Sequence, residues 1–146
     1  MTAQEMWKSS GLTGTYEAWA FGDAPDALAK LVADGVKTAT CSALALYEAE
    51  GESLPEEGQY SVVLDGEDRA VCIIQTTKVY IAAFRDISAE HARKEGEGDR
   101  SLAYWRQVHK AFFTQELSGV GQKFTEDSKL VCEEFKVVYN RSEKVL

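Results

Sequence analysis

The chain is short of cations, of proline and histidine, and of any long apolar run. Sixteen Lys and Arg against 24 Asp and Glu give its 146 residues a formal net charge of −8. Such a balance opposes broad binding to a phosphate backbone, whose affinity comes largely from Lys and Arg displacing counterions, and it leaves room only for a local basic pocket. With two prolines and no low-complexity tract, a long linker or disordered tail is not expected. The three cysteines, Cys41, Cys72 and Cys132, form no Cys-x-x-Cys pair and lie in or beside apolar stretches. They read as buried free thiols of a reducing compartment. Both histidines, His91 and His109, fall on separate expected helices, and no Cys/His cluster has zinc spacing, so neither a metal nor another cofactor is expected. The opening "MTAQEMWKSSG" has no apolar targeting core, and no stretch approaches the ~20 apolar residues that span a bilayer. The expectation is a cytoplasmic protein without a membrane partner.

What is present is ordinary for a globular chain: 45% hydrophobic and 27% charged residues. The length fits one domain over residues 1–146, long enough to bury roughly two-thirds of its unfolded surface. "TAQE" predicts a capping box, Thr2 answered by Glu5, opening a short helix that stops near Gly11. "YEAWAFG" supplies aromatics for the core or for the rim of a cleft. "DAPDALAKLVADG" predicts a helix capped by Asp23, with Pro25 in its first turn and Gly35 as its stop. A short strand and one or two helical turns ending at Gly51 follow. "QYSVVLDGEDRAVCIIQTTKVYIAAF" predicts a strand, a tight turn at "DGED" and a longer strand. Ser88 caps a short helix through "SAEHARKEGEG", and a longer one presents Leu102, Trp105, Val108, Phe112 and Leu117 on its apolar face. "KLVCEEFKVVYN" closes as a strand. Helices and mostly antiparallel strands without regular βαβ alternation indicate an α+β fold with a small curved sheet.

Few segments offer chemistry. "EGEGDR" lacks the dinucleotide and P-loop spacings, and it serves either as an anion-facing loop or as a plain turn. His109 shares a helical face with Trp105 and Phe112 and reads as a packing or hydrogen-bonded histidine. In "GVKTAT", Lys37 follows a helix end. Read from spacing alone, it is a solvated lysine answering the helix C-terminal dipole. The alternative is a lysine partly desolvated at a cleft, its pKa lowered so that it acts as a base toward the hydroxyl of Thr40.

Taken together, "GVKTAT", "AVCIIQTTKVY", "SAEHARKEGEGDRSLAYWRQVH" and "LVCEEFKVVY" resemble the ASCH domain family over residues 19–139, in a longer bacterial subgroup. The resemblance implies a PUA-like fold, a small, partly open β-barrel with helices around a cleft, and RNA-related function. Some small bacterial members hydrolyse the amide of N4-acetylcytidine, and others have been assigned ribonuclease activity. The amidohydrolases use a lysine and a threonine of a "G-x-K-T-x-T" stretch with a downstream glutamate after "H-A-x-x", which correspond here to Lys37, Thr40 and Glu95. They place an arginine two residues after the threonine, where this chain has Ser42, and this chain adds the acidic segment "YEAEGESLPEEG".

The implied enzyme is an amidohydrolase of an acylated nucleoside, with Thr40 as nucleophile or holder of the attacking water and Lys37 as its proton acceptor. Glu95 orients the lysine or shuttles a proton to the leaving amine. Ser42, Tyr47, Asp99, Arg100 and Trp105 are the expected substrate-binding residues. Trp19, Phe21 and Tyr47 are candidates to stack on a base, with ordinary core packing the plainer role. The competing class is a module that binds a nucleoside, a nucleotide or a short RNA without turnover, rimmed by Lys37, Arg93, Lys94, Arg100 and Arg106; a ribonuclease is the third reading.

Overall fold

The computed structural model describes residues 1–140 and the backbone of Lys144–Val145. Among the described residues, five helices surround one curved sheet. In chain order the elements are α1 (Ala3–Ser10), β1 (Tyr16–Ala20), α2 (Pro25–Ala33), β2 (Ala39–Ala43), α3 (Leu44–Glu50), β3 (Tyr60–Leu64), β4 (Ala70–Ala83), α4 (Ala89–Glu95), α5 (Leu102–Ser118), β5 (Lys129–Asn140) and β6 (Lys144–Val145). The sheet order is β1-β3-β4-β5-β2, with β6 added to β5. Pairing is antiparallel except between β1 and β3. Strand β4 carries register shifts at Ile73/Ile74 and Thr76/Lys78. Such bulges bend a strand and raise its twist, and this sheet is a half-barrel. The α+β, PUA-like expectation holds.

Local chemistry explains most boundaries. The Thr2 hydroxyl accepts from the Glu5 amide at 3.1 Å while the Thr2 amide donates to Glu5 Oε1 at 2.8 Å, so the capping box forms. In the β3–β4 turn, Asp65 Oδ1 accepts from the Glu67 and Arg69 amides at 2.9 and 3.0 Å. Helix α2 departs from expectation. Its N-cap is Ala24, at φ 43° and without a side-chain cap. Asp23 instead lines the cleft described below, and Asp26 accepts from the Gly66 amide at 2.7 Å, tying α2 to the β3–β4 turn. Helix α5 is the second departure. Its buried residues are Trp105, His109, Phe113 and Leu117, a strict four-residue step. Val108 and Phe112 are rotated off that stripe and line the cleft.

Three apolar clusters back the sheet. One joins Phe84, Trp105, Phe113, Leu117 and Leu130 beneath α5. Another places Val32 of α2 on Val63, Ile74 and Phe135. The third seats Met6 of α1 on Val62, Ile73 and Tyr139. The cysteines are free, with Cys72 and Cys132 buried and Cys41 half-buried. No helix among the described residues is long and apolar enough to cross a membrane.

Candidate active site

Helix α2 ends at Gly35, which takes φ 77°, and the chain turns sharply so that the Val36 and Lys37 amides both donate to the Leu31 carbonyl at 3.0 Å. The Thr38 amide then donates to the Lys94 carbonyl at 2.7 Å, locking this turn to the C-terminal end of α4. The approach is close. A Cβ on Gly96 would stand 2.6 Å from the Val36 carbonyl oxygen, and Gly96 also sits at φ 73°, so only glycine fits there. This junction brings Lys37 to Glu95 across 58 positions of sequence.

Both side chains are 1% exposed. Lys37 Nζ donates to Glu95 Oε1 at 3.2 Å, to the Glu95 carbonyl at 3.3 Å and to Glu97 Oε2 at 2.9 Å, which accounts for all three ammonium N–H bonds. Glu95 is equally occupied. Its Oε2 accepts from Trp105 Nε1 at 2.9 Å and meets His91 Nε2 at 2.7 Å, while His109 Nε2 lies 3.5 Å from its Oε1. His91 Nδ1 meets the Tyr80 hydroxyl at 2.9 Å, so the arrangement is satisfied by an Nε2–H tautomer donating to Glu95 and accepting from Tyr80. His109 Nδ1 lies 2.9 Å from the Trp105 carbonyl, to which only an N–H can bond. A neutral His109 would therefore turn a bare nitrogen toward a carboxylate; the imidazolium turns an N–H.

The electrostatics follow. Burial alone would push the Glu95 carboxyl up, but the Lys37 ammonium and the hydrogen bonds from His109 and His91 outweigh it and hold Glu95 well below the usual carboxylate range. Burial pulls Lys37 down; Glu95 and Glu97 outweigh that and leave its pKa raised. His109 is likewise lowered by burial and, on balance, raised by its hydrogen bond to Glu95 and that residue's charge. A lysine with a depressed pKa, the expected base, is thus replaced by a fixed ammonium. Nor is Lys37 the solvated lysine that spacing alone suggests.

This knot closes the inner end of a cleft of about 870 Å³. Thr40, Ser42 and Glu133 line the cleft from the sheet, Trp19 and Phe21 from β1 and its end, and Tyr47, Ser53 and Pro55 from α3 and the acidic segment after it. The Thr40 hydroxyl has no hydrogen-bond partner among the described residues. Lys37 Nζ stands 5.4 Å from the centre of the Phe21 ring. Donor atoms do converge in two groups, Cys41 with His91 and Glu95, and Glu95 with Glu97 and His109. At the second, the Lys37 ammonium already bonds both carboxylates. At the first, burial and the neighbouring Glu95 push the Cys41 thiol well up.

The ASCH domain family model matches residues 17–139. The chain belongs to the ASCH domain family. Among solved structures, this ASCH protein is similar to an ASCH domain from Lactobacillus crispatus JV V101, at 34% identity and TM-score 0.86 over 92% of each chain. A protein from Enterococcus faecalis V583 is 38% identical with TM-score 0.83, covering 92% of this chain and 86% of that one. An ASCH protein from Zymomonas mobilis shares the fold alone, at 10% identity and TM-score 0.51 over 83% of this chain and 67% of that one. No curated protein matches the chain.

Of the residues expected at the site, this ASCH protein gathers Lys37, Thr40, Glu95, Ser42 and Tyr47 at one cleft, the last two joined hydroxyl to hydroxyl at 2.9 Å. Trp105 is 2% exposed and stands behind Glu95 as a donor, away from the lumen. Asp99 and Arg100 are exposed on the α4–α5 loop and do not line the cleft; Asp99 accepts from the Ser101 amide at 2.9 Å, and Arg100 Nε donates to the Arg93 carbonyl at 3.2 Å. The basic rim does not assemble either. Lys94 pairs with Glu90 and Glu134, and Arg106 donates to the Arg85 carbonyl. Carboxylates of Glu17, Asp23, Glu52, Glu116 and Glu133 stand around the cleft instead.

Composition and spacing gave no role to His91, Glu97 and Glu133, and gave His109 the packing and hydrogen-bonding one that it has, without its link to Glu95. A signal for two of them exists. His91 and Glu95 are four apart on α4, Trp105 and His109 four apart on α5, and each pair shares one helix face. Glu97 and Glu133 carry no comparable pattern.

Proposed function

We propose that this ASCH protein is an amidohydrolase of an acylated nucleoside, of the N4-acetylcytidine class. The observation that carries the reading is the meeting of Lys37, in the turn before β2, and Thr40, three residues on in β2, with Glu95 of α4 at one cleft flanked by Trp19, Phe21 and Tyr47. Thr40 supplies a free hydroxyl as the nucleophile. The Lys37 ammonium supplies a fixed positive charge, which in a poorly hydrated site stabilises the oxyanion that develops on the acyl oxygen. Glu95 positions that ammonium and keeps it charged. Of the groups holding Lys37, Glu97 is the one with an exposed edge, its side chain 18% accessible, so it yields its hydrogen bond when a carbonyl oxygen arrives. The aromatic side chains provide faces for a flat heterocycle.

Charge bears on the choice among nucleic-acid-like ligands. The carboxylates around the cleft disfavour phosphate groups, which supports an uncharged nucleoside over a nucleotide, a short RNA or a ribonuclease substrate. The test is turnover of a panel of N4-acylcytosine nucleosides by the wild type, K37A and T40A. Expected is measurable release of the acid by the wild type and a loss of ~10²-fold or more in each variant, with both variants still folded by circular dichroism. Absence of turnover across the panel with wild-type protein overturns the reading.

A further inference from the structure

The proposed hydrolysis needs a proton acceptor, and neither Lys37 nor Glu95 is free to be one. All three N–H bonds of Lys37 end on oxygen, and both oxygens of Glu95 are occupied. The cleft holds another carboxylate. Glu133 of β5 is the direct antiparallel partner of Thr40 of β2. Side chains so paired leave one face of a sheet with Cβ atoms ~4.5–5.5 Å apart, and both of these line the cleft.

The hydrogen bonding of Glu133 is half filled. Its Oε1 accepts from the Thr76 hydroxyl at 3.3 Å, and among the described residues Oε2 has no partner and no cation pairs with the group. The next residue, Glu134, takes the Lys94 ammonium at 3.0 Å on the other side of the strand. Burial pushes the Glu133 carboxyl up and the charge of Glu17 adds to it, against the hydrogen bond from Thr76. A half-buried carboxylate with an open oxygen and a pKa moved toward neutrality has the properties of a general base.

We infer that Glu133 is the catalytic proton shuttle between Thr40 and the leaving nitrogen, a role that rests on the amidohydrolase reading of the cleft. As the Thr40 Oγ forms its bond to the acyl carbon, the hydroxyl proton passes to Glu133. The tetrahedral adduct, its oxyanion facing the Lys37 ammonium, collapses with cleavage of the carbon–nitrogen bond. Glu133 returns the proton to the departing nitrogen, giving the free amine and an acyl ester on Thr40. Water then adds to the ester carbon with its proton taken by Glu133, the carbon–Oγ bond breaks, and that proton restores the threonine hydroxyl. The sum is amide plus water to carboxylic acid plus amine.

The experiment is steady-state hydrolysis of N4-acetylcytidine by the wild type, E133Q, E133A and E133D, with cytidine binding measured by calorimetry. Glutamine keeps the size and the acceptor for Thr76 but cannot take a proton. Expected is a kcat for E133Q lower by ~10²–10⁴-fold, with KM within ~3-fold and cytidine affinity unchanged. Added formate should restore part of the activity of E133A, and E133D should fall between. The acidic limb of the kcat–pH profile should disappear in E133Q. Glu17 from β1 and Tyr47 from α3 also face Glu133, so that disappearance, not the midpoint of the limb, makes the assignment. An active wild type with E133Q within ~3-fold of it in kcat overturns the role of Glu133 alone. So does a loss expressed in KM and cytidine affinity without rescue by formate. An inactive wild type overturns it through the reading on which it rests. Should E133Q fail to fold, E133D at wild-type kcat is likewise an overturning result.

Discussion

Glu95 and Glu133 are two carboxylates of one cleft in opposite circumstances. Glu95 is 1% exposed, yet each of its oxygens is met by donors and an ammonium stands against it. Glu133 is less buried and carries one hydrogen bond, from a neutral hydroxyl. Burial raises the pKa of both; only Glu95 has the compensating charges, so one is held well below the usual range and the other is left raised. Depth of burial is therefore a poor guide to the state of a buried acid, and the partner list decides. Groups whose environments drive their pKa values apart are also the groups among which acid–base roles divide. In the proposed reaction the deeper carboxylate is the scaffold and the shallower one the reagent.

The comparison breaks most directly on stability. Removing one partner of a buried ion pair leaves the other charge uncompensated, so E95A should cost about 3–5 kcal/mol, while E133A should cost about 1 kcal/mol or less, the scale of one hydrogen bond. Urea unfolding of the two variants measures both. Equal losses would remove the distinction between scaffold and reagent.

The pH dependence sharpens it further, because the two groups should act with opposite sign. Glu95 has its pKa depressed on folding, so its contribution is present above its ordinary value of 4.5 and is lost as pH falls through the folded value. Glu133 has its pKa raised, so folding is favoured below 4.5 and that advantage is lost as pH rises through the folded value. E133Q should therefore gain stability relative to the wild type as pH climbs above 4.5, whereas E95Q should lose most above it and least in acid. Melting temperatures from pH 3 to 8 supply the check, and parallel curves would contradict the assignment.

A smaller effect is expected at Glu97, which is a partner of Lys37 like Glu95 but borders the open cleft. E97Q should cost roughly 1 kcal/mol or less, as for pairs reached by solvent, and should lower KM for an uncharged substrate by freeing one ammonium donor. A loss as large as that of E95A would make Glu97 part of the scaffold.

The order of elements was legible in the residues because their punctuation is local. The Thr2–Glu5 capping box, the "DGED" turn and the Ser88 cap each act within a few positions, and each is found where the residues place it. Asp23 failed as a cap because the chain enters α2 one position later, through Ala24 at φ 43°, while Asp26 is tied to the Gly66 amide 40 positions away. On α5 the apolar stripe was misplaced because His109 counts as polar in any periodicity, although its ring stacks on Trp105 at 4.4 Å and Glu95 answers its polar edge.

By itself the amino-acid sequence determined the α+β element order and the family, and only through that family resemblance did it name Lys37, Thr40 and Glu95 together. Those are matters of local propensity and of motifs carried as short strings. The tertiary structure alone decided their chemical states. Whether Lys37 is a base or an ammonium depends on Glu97 and Glu95 standing at 2.9 and 3.2 Å. Whether Glu133 or Glu95 can take a proton depends on which of them His91, Trp105 and His109 reach. Charge–charge energy varies with separation and with the water between the groups, and both are products of the fold.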